Sequence, residues 1–239
     1  MKRLMILTAV FAVCMQSMAQ SDSYSMQVYL SGGEVESFSV SEVDSVVFVS
    51  TDVDSDDTTS SDTTYANGYT AVDLGLSVKW ATCNVGADSP EDYGDYFAWG
   101  ETETKDDYSS STSVTYEVDM DDIAGDAEYD AATANWGGSW RMPTYAEMEE
   151  LVDDCTWTWT TENDVNGYLV TGSNGNSIFL PAAGRRNGTS LNATDTWGYY
   201  WSSTPSGTRY SYHLYFLSGY YSTLGYFRNF GHTVRPVTE

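Results

Sequence analysis

The sequence predicts an α+β domain, and three observations predict it. Two segments carry helix signals, an alanine-rich stretch at residues 127–135 and a capped stretch at residues 145–154. Beyond Cys155 the chain reads as short strands and turns to its end. Long polar loops join these parts, the largest an acidic excursion from Glu101 to Asp122.

The elements follow in chain order. Residues 1–19 have the three-part layout of a secretory signal peptide: Lys2 and Arg3, an apolar run from Leu4 to Val13, and a small-x-small site ending at Ala19. Cleavage is expected near Ala19, giving an exported protein, with a lipid-modified Cys14 as the rival reading. The apolar run is short for ~30 Å of hydrocarbon, so no membrane insertion of the mature chain is expected. Residues 20–50 read as a small β unit with strands at 26–30, 35–40 and 45–49. Residues 51–66 are Ser, Thr and Asp with almost nothing apolar, which predicts an acidic linker. Asp52, Asp54 and Asp56 alternate as calcium-loop acids do, but Asp57 stands where an EF-hand needs glycine.

Residues 67–239 form the main domain. Residues 71–74 and 77–81 predict a hairpin around Gly75, and 93–99 a short strand or extended turn. Asp126 is a plausible N-cap for the first helix, with Gly137 as its stop. Thr144 and Glu147 have capping-box spacing, and Met148, Leu151 and Val152 share a face, which places the second helix at 145–154. Residues 168–171 and 177–181 predict a hairpin, Arg186-Asn187-Gly188 a turn, and 199–203 a strand. Residues 210–217 alternate, with Tyr210, Tyr212, Leu214 and Phe216 on one face and Ser211, His213, Tyr215 and Leu217 on the other. Residues 232–237 predict a closing strand.

The net charge of −25 argues against nucleic acid and anionic membrane surfaces as partners. The charge is uneven. Residues 20–180 hold 33 acids and three bases, whereas residues 181–239 hold only Asp195 and Glu239 against five arginines. Cys83 and Cys155 are the two cysteines of the mature chain, and an even count in an exported protein predicts a disulfide. Such a bridge stabilises by about 4 kcal/mol in the chain-entropy view; the alternative is two separate thiols.

Four motifs bear a resemblance. They are Leu74-Gly-Leu-Ser-Val-Lys-Trp-Ala-Thr-Cys, Tyr93-Gly-Asp-Tyr-Phe-Ala-Trp-Gly-Glu, Asn135-Trp-Gly-Gly-Ser-Trp-Arg-Met-Pro-Thr, and Gly231-His-Thr-Val-Arg-Pro-Val. In that order they resemble the Fibrobacter succinogenes major paralogous domain of exported Bacteroidetes proteins, over residues 67–239. Trp140-Arg-Met-Pro-Thr with Glu147 is also similar to an element of the formylglycine-generating-enzyme superfamily. The resemblance implies a C-type-lectin-like fold with two helices, a small twisted antiparallel sheet and long loops. No cysteine follows Cys155, so the cysteine pair of the formylglycine-generating oxidases is absent, and the calcium-site motifs of vertebrate-type lectins are absent too.

No catalytic constellation emerges: His213 and His232 sit in predicted strands, and no nucleophile elbow or phosphate loop occurs. The expectation is therefore no enzyme, no cofactor and no metal. From Trp197 to Phe230 lie thirteen aromatics mixed with Ser, Gly, Asn and Arg, the composition of paratopes. Trp201, Tyr212, Leu214, Phe216 and Val234 read as core. Residues taken as turn-placed are the binding candidates: Tyr199, Arg209, Tyr210, Tyr220, Tyr221, Tyr226, Arg228, Asn229 and Phe230, joined by Arg185 and Asn187. The expected function is an exported, non-catalytic recognition module for a glycan or protein ligand. The alternative is a structural or adhesin subunit of a cell-surface assembly, with the lectin-like domain as its displayed head.

Overall fold

The structure is a computed structural model that describes residues 25–29, 35–39, 62–65 and 68–239. The chain divides into two compact units, Met1–Asp57 and Thr58–Glu239. In the first, β1 (Ser25–Tyr29) and β2 (Val35–Ser39) form an antiparallel pair that runs from Ser25 opposite Ser39 to Tyr29 opposite Val35. The expected third strand at 45–49 and the expected signal peptide lie outside the described residues.

The second unit is predominantly β, which corrects the predicted α+β lectin-like class. Over all described residues helices hold 9 % and strands 39 %, and the second unit's strands form four small antiparallel sheets. The first sheet begins inside the expected linker. There β3 (Asp62–Thr64) pairs with β4 (Thr70–Val72), β4 with β5 (Lys79–Ala81), and the C-terminal β14 (Val237–Thr238) closes on β5. Thr63 opposite Ala71 shows how Thr-rich sequence, polar enough to read as a tether, completes a ladder on an edge.

The predicted first helix shrinks to α1 (Ala131–Trp136). Its cap is Asp130, not Asp126: the Asp130 carboxylate accepts from the Ala132 and Thr133 amides at 2.8 and 3.0 Å. The other oxygen of Asp130 takes the amides of Gly125 and Met142, so tertiary contacts select the cap. Gly137 ends the helix at φ 65°, where a side chain would be strained. The second helix, α2 (Tyr145–Asp154), has the expected bounds and a complete capping box between Thr144 and Glu147. Glu147 also forks onto Arg141 at 2.6 and 2.8 Å. Burial pushes its carboxyl up, but the bonds from Arg141 and the Thr144 amide outweigh that and hold it below the usual range. Thr144→Ala is expected to cost about 1–2 kcal/mol in urea unfolding; an unchanged midpoint would show that the Arg141–Glu147 fork alone fixes the helix start.

A three-stranded meander follows, β6 (Thr156–Glu162), β7 (Val165–Thr171) and β8 (Ser177–Pro181), then the hairpin β9 (Arg185–Asn187) with β10 (Ser190–Asn192). The last sheet is β11 (Trp197–Pro205), β12 (Tyr210–Leu217) and β13 (Tyr220–Phe227). Large aromatics do most of the filling. Trp80, Tyr200, Leu214 and Phe216 belong to one cluster packed on α2 and the meander, and Trp99, Trp140, Trp201 and Val234 to a second beside α1. Tyr212, expected in the core, is half-buried. Three of these buried rings find carbonyls for their polar ends, as buried Trp and Tyr usually do, whereas the indole nitrogens of Trp80 and Trp140 have no partner among the described residues. Trp99 Nε1 donates to Ser202, Trp201 Nε1 to Phe97 and Tyr200 Oη to Pro181, at 2.6–2.9 Å. Gly198 lies opposite Phe216, so close that a Cβ there would enter the ring.

Cys83 and Cys155 are free thiols, which corrects the predicted disulfide. Cys155 ends α2 and packs against the first cluster, and burial pushes its thiol up to about 11. Cys83 follows β5, within 3.6 Å of the Thr82 hydroxyl.

Candidate functional site

The β11–β13 sheet has two unlike faces. Strand alternation puts Tyr200, Leu214 and Phe216 on the core side. The other face carries Trp197, Tyr199 and Trp201 from β11, His213, Tyr215 and Leu217 from β12, and Tyr220, Leu224 and Tyr226 from β13. Along this face burial falls away. Trp201 and His213 are buried, Tyr199 is 4 % exposed, Trp197 and Tyr215 are half-buried, and Tyr220 and Leu224 reach 49 and 45 %. The rings are contiguous: Trp197 to Tyr199 6.1 Å, Tyr199 to Tyr215 5.4 Å, and Tyr215 to Tyr220 5.9 Å between centroids.

Arg185 reaches this face from β9. Its guanidinium lies 4.9 Å from the ring centroids of Tyr199 and Tyr226 and 5.0 Å from that of Phe230. One Nη donates to the Tyr226 hydroxyl, while the buried Nε has no hydrogen-bond partner. The next residue, Arg186, faces the other side of the strand, 5.6 Å over Tyr96. It lines a polar cleft of about 340 Å³ with Asp95, Thr104, Lys105, Asp106 and Tyr108. Paired backbone bonds between Arg186 and Gly231 fix the strand in place.

Beneath Arg185 sit two buried imidazoles, with ring centroids 5.1 Å apart. His213 Nδ1 is 2.8 Å from the Leu224 carbonyl, and burial pushes its pKa down to about 4. His232 stacks on Trp201 at 4.0 Å with both ring nitrogens unpartnered. Burial, then the charge of a protonated His213, then Arg185 hold His232 well below the ordinary range. Burial likewise raises the Tyr199 phenol to about 12.

The predicted binding residues divide. Arg185, Tyr199, Tyr226 and Phe230 come together as described, with Tyr220 at the open end of the same face. Tyr199, expected as the first residue of a strand and as a surface candidate, is instead buried within β11, which begins two positions earlier at Trp197. Tyr220, Tyr221 and Tyr226 likewise belong to a strand, β13, that the sequence reading took for turns. Tyr221 points to the opposite face and stacks on Trp157 at 4.6 Å. Tyr210 is 38 % exposed and packs on Phe227 at 4.5 Å. Arg209 is exposed and ion-paired with Glu117, and Asn187 is exposed on β9. Arg228 and Asn229 are buried, contrary to expectation. Arg228 serves backbone carbonyls, and Asn229 donates to the Tyr108 carbonyl at 3.1 Å.

Sequence reasoning missed Trp197, Tyr215 and Leu224 as surface candidates. For Tyr215 the signal was present, since alternation in β12 places it opposite the core face. Among the described residues no group of three or more His, Cys, Asp or Glu side chains could hold a metal ion, and no helix is long and apolar enough to cross a membrane.

The fold and this face define a small, aromatic-rich β domain. A family model described as a domain of unknown function (DUF8237) matches residues 143–237, from the start of α2 to the first residue of β14, and so spans the whole face. No curated protein matches the chain, and no solved structure matches it.

Proposed function

We propose that the chain is a non-catalytic recognition module whose ligand, a glycan or a protein, docks on the open half of the β11–β13 face. The observation behind this is the burial gradient: one continuous aromatic row runs from buried Tyr199 through half-buried Tyr215, with Trp197 beside it, to exposed Tyr220, and exposed Leu224 lies farther along β13 opposite His213. Grouped apolar side chains at a surface mark interaction sites, whereas scattered ones do not. Tyr and Trp supply wide contact area with few rotors. The environment of the two histidines supports a non-catalytic reading. Both rings are buried and held neutral, where neither can exchange protons with a substrate near neutral pH.

The test is a glycan and protein array probed with the wild-type chain and with the Tyr215→Ala/Tyr220→Ala double variant. Loss of at least roughly tenfold in affinity is expected, as for hot-spot aromatics. Tm should fall by no more than about 5 °C, since neither ring is fully buried. A variant that keeps its ligand at wild-type affinity would place recognition elsewhere.

A further inference from the structure

The cations of the second unit divide by what they touch. Lys105, Arg141 and Arg209 are ion-paired with Glu101, Glu147 and Glu117. Arg228 and Arg235 are buried and bond mainly to carbonyls. Lys79 and Arg186 are partly exposed, and Arg186 lies in a cleft with Asp95 and Asp106. Arg185 is the cation set on the aromatic face. It is partly exposed, makes no ion pair among the described residues, and donates only to the Tyr226 hydroxyl. Its surroundings on the face are Tyr199, Tyr226 and Phe230, none of them acidic. In a chain with 35 acids and 10 Lys and Arg, this leaves a local positive site inside an aromatic rim.

Resting on the recognition reading above, we propose that this face binds an anionic glycan, its ring-borne carboxylate or sulfate held by Arg185 and its sugar rings laid on Tyr215, Tyr220 and Trp197. Two features of the chemistry select that class. A guanidinium offers parallel N–H donors that match two oxygens of one anion, and it keeps its charge in partly buried sites. Aromatic faces are electron-rich, so the weakly positive C–H faces of sugar rings settle on them. An acidic peptide would satisfy the cation but has no flat C–H faces to match a row of rings about 5–6 Å apart. Charge complementarity is local here: the net charge of −25 repels an anion at long range, so the site requires contact, and added salt weakens the Arg185 pair while relieving that repulsion.

The experiment is isothermal titration of the full chain with four probes: an oligogalacturonate, its methyl ester, a sulfated oligosaccharide of similar length, and a poly-glutamate peptide. The expected result is binding of the oligogalacturonate or the sulfated oligosaccharide at least roughly tenfold tighter than the ester, with the preferred probe identifying the anion. Arg185→Gln should remove that preference, and Tyr220→Ala should weaken binding while leaving the ratio unchanged. Arg185→Lys retains a charge beside the rings and serves if the glutamine variant does not fold; it should keep part of the preference. Equal binding of acid and ester, binding of the peptide alone, no binding of either anionic oligosaccharide, or a preference that survives Arg185→Gln would each overturn the proposal. If the array shows a neutral ligand that is lost in the Tyr215→Ala/Tyr220→Ala variant, recognition stands and the anionic assignment alone falls.

Discussion

Replacing Arg228 with methionine is expected to lower the unfolding free energy by about 3 kcal/mol. The guanidinium is fully buried, and it gathers the chain around itself. Nε bonds to the Tyr210 carbonyl and the Ser211 hydroxyl at 3.2 and 3.1 Å, and one Nη to the carbonyls of Thr115 and Val118 at 3.1 and 2.9 Å. The other Nη bonds to Gly207 at 2.7 Å, and the plane lies 4.1 Å from the Trp99 centroid. Burial pushes its pKa down to about 10, with Asp119 pulling weakly the other way, so the charge persists at neutral pH. Methionine fills similar volume but takes the donor from the Val118 and Gly207 carbonyls and the Ser211 hydroxyl, each loss costing about 1–3 kcal/mol where water cannot reach the group, whereas the Tyr210 and Thr115 carbonyls keep the Ser206 and Val118 amides. Relief from burying a charge offsets part of that sum. Arg228→Lys should recover little, because an ammonium cannot fork to both sides. Urea unfolding of the three proteins at pH 7 decides it, and a methionine variant within 1 kcal/mol of wild type would show that the carbonyls find other partners.

Arg228 also shows what local pattern cannot reach. An arginine between aromatics and an asparagine near the chain end reads as surface, because arginine is seldom buried without a partner. Its partners lie at residues 115–118 and 207–211, and only the folded chain brings those carbonyls together. Arg235, in the closing Val-Arg-Pro segment, is buried in the same manner, with bonds to Asn84, Ala81 and Phe179. By contrast, α2 and β12 have the bounds expected from sequence, because a capping box and an unbroken period-2 pattern are local. β13 lacks a local signature. Tyr220-Tyr-Ser-Thr-Leu-Gly-Tyr mixes apolar and polar residues without alternation, and Gly225 in its middle reads as a turn. Its strand character comes from the neighbour, since eight residues pair in register with β12. The predicted lectin-like class failed for a related reason. The resemblance of four motifs implied an architecture with two helices as a main part, but α1 keeps only six residues, and the strands after Cys155 do most of the building. The candidate surface was thus half legible: composition located the segment, and only pairing showed which face opens.

Acid is expected to unfold this domain ahead of its carboxylates, through the histidine pair. An unfolded histidine titrates near 6.5. His213 is held down to about 4 in the fold, first by burial, against the bond to the Leu224 carbonyl, and with Arg185 adding repulsion. Between those values the unfolded chain binds more protons than the native one, so stability rises with pH across the window and is lost as pH falls through it. The His213 share is about 3 kcal/mol between pH 6.5 and 4, and His232 adds in the same direction because it too is held low. The groups facing the pair give no relief: Tyr199, Tyr226 and Trp201 are neutral, and Arg185 is positive. Asp130 opposes the trend, since burial raises its carboxyl and protonation there favours the fold. Glu147 is held low, so its contribution is lost only at still lower pH. Urea unfolding at pH 7.0, 6.0, 5.0 and 4.5 should therefore show falling stability in the wild type. His213→Gln, which can still donate to the Leu224 carbonyl, should flatten that slope. A variant with the wild-type slope would show that His213 does not carry it and that another group is its source. If the slope is theirs, protonation places new positive charge near Arg185, within the buried part of the aromatic face.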